Sequence, residues 1–273
     1  MWQPTYAGWV PGQSVSRRRL LGLGLGAGVA VGTTALAGCT PGGSSWPDLP
    51  DVGRRESPTC VARSTLPRYA RLADLPLVYE VGQRRSEFAI EPGFAGQLEA
   101  WVTDLRDLTG WRIDQLWTYG TWTDGGDACD SWHNAGRAFD LSRLRLEGRT
   151  FVSARYDLWR DETGADLARA QRAYWALAAS LHKHFAYVLT YRYNAQHHNH
   201  LHVDNGRSGA EPSSYSSRSQ AQVQAVEGIL EHVWDGAPLE RVLADLQLTD
   251  SLTDQPTWSG FLTASIRQGA QPA

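Results

Sequence analysis

Histidine and aspartate recur in this chain at spacings that suit a metal ion. Residues 131–140 read S-W-H-N-A-G-R-A-F-D, in which His133 offers an imidazole and Asp140 a carboxylate. Both are ligand types that suit Zn²⁺. Gly136 between them lets the chain turn tightly enough for both to face one point. A second stretch, His200-Leu201-His202, separates two histidines by a single residue. If residues 199–204 are extended, His200 and His202 point to the same face. One of the two then completes a trio with His133 and Asp140, while the other stands beside it. Three protein ligands leave a fourth tetrahedral position open, which is the arrangement of a catalytic zinc rather than a closed structural one.

The elements that must position these residues are legible from periodicity. Residues 91–110 place Phe94, Leu98, Trp101, Val102, Leu105 and Leu108 at helical spacing, with Gly110 as a stop. This predicts an amphipathic helix over a sheet. Residues 113–122 alternate and are rich in aromatic and β-branched side chains, which predicts a strand. It leads into a loop over 123–130, marked as a turn by Gly125 and Gly126. Residues 137–141 and 149–154 are expected as further strands, with Glu147-Gly148 as the turn between them. The strongest helical pattern covers 165–185, followed by a strand over 186–193 and the extended H-x-H segment. Helical patterns recur over 220–233 and 238–248. Helices alternating with hairpins predict an α+β domain over 68–273.

The remaining histidines and the tryptophans have simpler expectations. His197 and His198 extend the histidine cluster; His198 shares the strand parity of His200 and His202 and reaches the rim if the strand starts early, but both are expected as solvated loop residues. His182, His184 and His232 lie in helical patterns and are expected at the surface or at caps. Trp is abundant at twelve residues. Trp111, Trp117, Trp122 and Trp132 lie near the motif, and their large apolar area makes them core residues before it makes them sugar-stacking platforms.

The first residues read as a leader. Arg17, Arg18 and Arg19 precede an uncharged Gly/Ala-rich run to Gly38, matching a twin-arginine export signal. The run ends Leu36-Ala37-Gly38-Cys39, which resembles a bacterial lipobox. Residues 1–39 are therefore expected to be a signal, with Cys39 lipidated and the chain anchored to the outer face of the membrane. The run is short for a spanning helix of about 20 apolar residues. Residues 40–67, rich in Gly, Ser, Pro and charge, are expected as a flexible tether. Removing the leader takes the formal net charge from −3 to −6, because three arginines go and no acid does. An acidic chain excludes nucleic acid as the natural partner. With Cys39 acylated, Cys60 and Cys129 remain in an oxidising compartment and are expected either as a disulfide or as two thiols, Cys129 lying four residues before His133.

The pattern S-x-H-x-x-G-x-A-x-D followed by H-x-H resembles the zinc peptidases of the D-alanyl-D-alanine carboxypeptidase and lysostaphin type. It is more closely similar to the bacterial extensin-like C-terminal domain, described as a relative of the M15 peptidases. The matching segments are 131–141, Leu146-Glu147-Gly148-Arg149 followed by Trp159, and 199–204. The resemblance covers roughly 118–204. It implies a small antiparallel sheet with a metal site on one face, covered by helices. It also assigns roles: His133, Asp140 and His202 as zinc ligands, His200 as the catalytic base, and peptidoglycan as the substrate. Ser131 is expected to cap or orient the ligands from behind. Carboxypeptidase relatives place an Arg before the first motif to clamp a terminal carboxylate. The corresponding residues 118–122 contain none, which points to cleavage of cross-links. A non-catalytic wall-binding module with the same zinc site is the alternative.

Overall fold

The computed structural model describes residues 61–122, 131–185, 187–206 and 213–271. The leader over 1–39, most of the expected tether, the loop over 123–130 and all three cysteines lie outside them. The described part is an α+β arrangement built on one large sheet.

Five short strands come first: β1 Arg68–Tyr69, β2 Arg71–Leu72, β3 Leu75–Tyr79, β4 Arg84–Arg85 and β5 Phe88–Ala89. Helix α1, Pro92–Thr109, follows. Its start is fixed chemically: Glu91 accepts hydrogen bonds from the backbone N–H groups of Gly93 and Phe94, and Pro92 takes the first turn, where its missing N–H costs nothing. Gly110, in the left-handed conformation, ends it. Strand β6, Gln115–Gly120, then runs parallel to β3, with α1 inside the crossover between them. Every other pairing among the described residues is antiparallel. The sheet is therefore mixed. Alternation in the sequence marks a strand but carries no information about its partner.

Strand β7, Ala138–Leu146, pairs with β6 on one side. On the other side it serves two partners: its first half pairs with β10, Leu201–Asp204, and its second half with β8, Arg149–Ser153. The edge strand β9, Tyr187–Leu189, lies beyond β10. A bulge at Ser142 divides the two halves of β7, because Trp117 faces Arg143 while Thr118 faces Leu141. The core-facing residues are Phe139 and Leu141 before the bulge and Leu144 after it. Asp140 consequently points to the face opposite Phe139 and Leu141.

Helices cover the apolar face. The one-turn α2, Tyr156–Trp159, precedes α3, Gly164–His184, and α4, Gln220–His232, α5, Leu239–Asp245, and α6, Gln255–Ala270, complete the layer. Leu77, Leu116, Phe139, Leu141, Leu201 and Val203 from the sheet share a core with Phe94, Trp101, Trp175 and Leu177 from the helices. α3 and α4 approach closely because Gly228 has no side chain; a Cβ there would lie 2.3 Å from the Trp175 ring. Trp175 itself is fully buried, and removing such a side chain costs about 3–5 kcal/mol. None of the helices among the described residues is long and apolar enough to cross a membrane.

Two histidine expectations need correction. His182 is completely buried on α3, not at the surface, with neither ring nitrogen hydrogen-bonded. His184 is partly buried and pairs with Asp104 of α1. Of the motif tryptophans, Trp111 is buried in the main core, Trp132 in a small separate cluster, and Trp117 beneath the guanidinium groups of Arg143 and Arg145.

Candidate metal centre

The first ligand stretch is a 3-10 turn, Trp132–Ala135, leading into β7. Ser131 caps it by accepting a hydrogen bond from His133 N. Gly136 closes it at φ +67, a conformation that other residues adopt only at a cost. A Cβ at that position would also meet Leu66 Cδ1 at 2.5 Å and Glu91 N at 3.1 Å. The turn is further tied from outside: Val61 N donates to Asn134 O, and Glu91 N donates to Gly136 O. Trp132, Ala135 and Ala138 form a small apolar cluster under it.

The second stretch is held to the first by sheet register. β10 places His202 directly opposite Asp140 on β7. Beyond the strand, Arg137 donates from Nε and Nη2 to Asn205 Oδ1 at 3.0 and 2.7 Å and lies 4.5 Å from the centre of the Trp132 ring. Asn205 donates in turn to Gln97 Oε1 of α1. A buried polar chain thus runs from the helix layer to both ligand stretches, and a buried network of this kind holds position only when every member is paired.

The structure brings His133, Asp140 and His202 together as a group that can hold a metal ion. His133 Nε2 is 3.3 Å from both His202 Nδ1 and Asp140 Oδ1, and His202 Nδ1 is 2.9 Å from Asp140 Oδ1. A tetrahedral zinc with bonds of about 2.0–2.1 Å separates its ligand atoms by about 3.3–3.4 Å, so these three atoms already stand close to such spacing. Electrostatics agree. Burial pushes the Asp140 pKa up, but the charges and hydrogen bonds of His133 and His202, with the charge of His200, outweigh it and hold the carboxyl well below its usual range. Burial alone lowers His202, yet hydrogen bonds to Asp140 and Asp204 raise it to about 10. Two carboxylates around one imidazole define a place that demands positive charge, and a divalent cation fills that demand as a proton does. The donor set therefore fits a metal.

The surroundings orient the donors. Asp204 Oδ2 is 3.1 Å from His202 Nε2, which turns Nδ1 toward Asp140 in the carboxylate–histidine arrangement common behind metal sites. Asp204 escaped the sequence reading, although its position two residues beyond His202 puts it on the same strand face. His200 lies just before β10. Its Nδ1 donates to Asn199 Oδ1 at 2.7 Å, which leaves Nε2 as the acceptor, 3.4 Å from Asp140 Oδ1. Burial lowers its pKa. The Tyr119 ring meets His200 edge-on at 6.1 Å.

His197, rather than His198, joins the cluster. Residues 195–197 form a 3-10 turn, so strand parity does not extend back to 198. His198 instead packs its ring against Tyr156 at 5.1 Å. The sequence also gave no sign of the neighbouring charge knot, in which buried Glu80 accepts from Ser142 Oγ, Arg143 Nε and Arg155 Nη1. Those residues are distant in the chain and meet only through the β3–β6–β7 pairing.

An α+β domain carrying a His/Asp group that can hold a metal on the polar face of its sheet is the class that fold and site define. Residues 111–213 match the family model described as extensin-like protein C-terminus, which supports the extensin-like family. The matched span contains His133, Asp140, His197, His200 and His202. No curated protein and no solved structure matches the chain.

Proposed function

We propose that this chain is a zinc-dependent hydrolase of the bacterial envelope, exported and lipid-anchored at Cys39, that cleaves amide bonds in peptidoglycan stem peptides or their cross-links. The observation that carries the reading is the His133–Asp140–His202 trio at tetrahedral spacing, with the acceptor nitrogen of His200 beside it. His133 Nε2, Asp140 Oδ1 and His202 Nδ1 would hold the ion. When bound, zinc supplies Lewis acidity that makes water nucleophilic near neutral pH.

The chain's own residues do the rest. Asn199 fixes the His200 ring so that Nε2 carries the lone pair and accepts a proton from the attacking water. The same nitrogen then returns that proton to the leaving amine. Asp204 keeps His202 in one orientation throughout. Arg137 is engaged with Asn205 and Trp132 and does not supply the carboxylate clamp that residues 118–122 lack, which favours cross-link cleavage over trimming of a free terminus. A relation to the M15 peptidases is part of this proposal.

The test is to incubate zinc-loaded full-length protein with purified sacculi and to separate released muropeptides by mass spectrometry. Release is expected, with His200→Ala retaining zinc and losing about 10²–10⁴ in rate. Equal turnover by that variant removes His200 from the mechanism. Sacculi that retain the protein but stay uncut would replace the hydrolase with a zinc-containing wall-binding module.

A further inference from the structure

The histidine run at 197, 198, 200 and 202 holds more imidazole than one zinc trio uses. His197 is buried at the end of its 3-10 turn. Asn194 Oδ1 accepts from Gln196 N at 2.9 Å and lies 2.7 Å from His197 Nδ1, which makes that nitrogen the donor and leaves the lone pair on Nε2. His200 is set the same way by Asn199, and His202 the opposite way round by Asp204, leaving Nδ1. Each of the three rings thus has one nitrogen tied down as a donor and the other turned to the cluster; on His202 a cation would take the place of the proton that Nδ1 gives to Asp140. The rings converge: the His197 centroid lies 5.2 Å from that of His200 and 5.8 Å from that of His202. One nitrogen of each lies within 4.8 Å of the others, so the three also form a group able to hold a metal.

We propose that His197, His200 and His202 are a second cation seat, alternative to the His133–Asp140–His202 seat, and that it takes Cu²⁺. Set against the other trio, this one exchanges a carboxylate for a third imidazole, and Cu²⁺ binds nitrogen donors more tightly than Zn²⁺ does. The seats exclude each other. His202 belongs to both trios, and with Nε2–H held by Asp204 it has a single lone pair to give. One ion therefore occupies the cluster at a time. This seat stands whether or not the chain hydrolyses anything.

The experiment loads the full-length chain with Cu²⁺ alone or Zn²⁺ alone and follows competition by metal analysis and electron paramagnetic resonance. Wild type is expected to bind one Cu²⁺ with imidazole nitrogen couplings, and Cu²⁺ should displace zinc one for one. His197→Ala should weaken Cu²⁺ by at least about tenfold, since even losing a residue behind a ligand costs that much, while zinc affinity stays within about twofold. His197→Gln, with circular dichroism of both variants, separates lost ligation from lost folding. His133→Ala should do the reverse, losing zinc and keeping copper. The proposal is overturned if His197→Ala leaves Cu²⁺ binding unchanged, if copper and zinc bind together, or if His133→Ala loses both alike. Wild type that binds copper through His197 but takes no zinc would overturn the hydrolase and leave the copper seat intact.

Discussion

His202 stands directly across the β7–β10 ladder from Asp140, and Asp204, two residues further along the same strand, grips the far side of its ring. One imidazole is thus held between two carboxylates by sheet register alone. A ligand placed by a backbone ladder needs no loop rearrangement to receive an ion.

The Asp204 contact gives the first prediction. Asp204→Asn keeps the acceptor for Gly206 N but removes the charge behind His202. Zinc affinity should fall about 10–100-fold with the stoichiometry unchanged. Chelator competition measures this, and an unaltered affinity would show that Asp204 does not set the His202 ring.

Gly136→Ala should be costly. The left-handed backbone costs roughly 1–2 kcal/mol for a residue with a Cβ, and that Cβ must also displace Leu66 and crowd Glu91 N. For a domain of this size the combined loss should lower Tm by roughly 4–8 °C. A melt of the metal-free variant equal to that of wild type would refute the strain.

Glu80 should make the fold sensitive to strong acid. Burial pushes its pKa up, but hydrogen bonds from Arg143, Ser142 and Arg155 prevail and leave it below its ordinary value of 4.5. A depressed carboxylate stabilises above its unfolded pKa, and that contribution is lost as pH falls through the folded one. Denaturant midpoints should therefore decline below about pH 4.5. Glu80→Gln should cost about 1–3 kcal/mol at pH 7, because two partly exposed guanidinium groups lose their anion, and it should remove this part of the acid slope.

His182 should act over a different window. Burial lowers its pKa from 6.5 to about 3. The unfolded chain therefore binds a proton that the folded chain refuses between those values, and stability falls as pH drops from 6.5 toward 3. His182→Leu removes the group. The variant should match or exceed wild type at pH 7, where two unsatisfied nitrogens disappear, and gain about 2 kcal/mol relative to it at pH 4.5. Urea midpoints at the two pH values decide the matter, and parallel shifts would sink the assignment.

Helices α1, α3 and α4 and the β7–β8 hairpin were legible because each repeats one period with a clear stop. The i, i+7 spacing of His133 and Asp140 likewise showed through its residue types. Helix α6 was missed because its small and polar residues, Ser259, Gly260, Thr263 and Ser265, blur the apolar stripe, although Asp254 and Pro256 are a readable start signal. β3 was missed because Pro76 and the short run Leu75–Tyr79 lack alternation; the strand is buried almost throughout. His197 was not legible as a member of the cluster because strand parity says nothing about a residue in a 3-10 turn, and the chain turns there. His182 was misplaced because α3 is buried over nearly its whole final half, so no polar face remains for a histidine to occupy.

The bulge at Ser142 works as a change of phase within one strand. Upstream, odd positions are apolar and the even position 140 carries the carboxylate of the candidate metal site; downstream, Leu144 faces the core and Arg143 and Arg145 face away. The two halves therefore keep separate phases, one presenting a carboxylate to the His/Asp group and the other presenting arginines, although a single stretch of backbone joins them. Were Ser142 instead to take a regular place in the alternation, one phase would run throughout, and either Leu144 or Asp140 would then stand on the wrong side of the sheet.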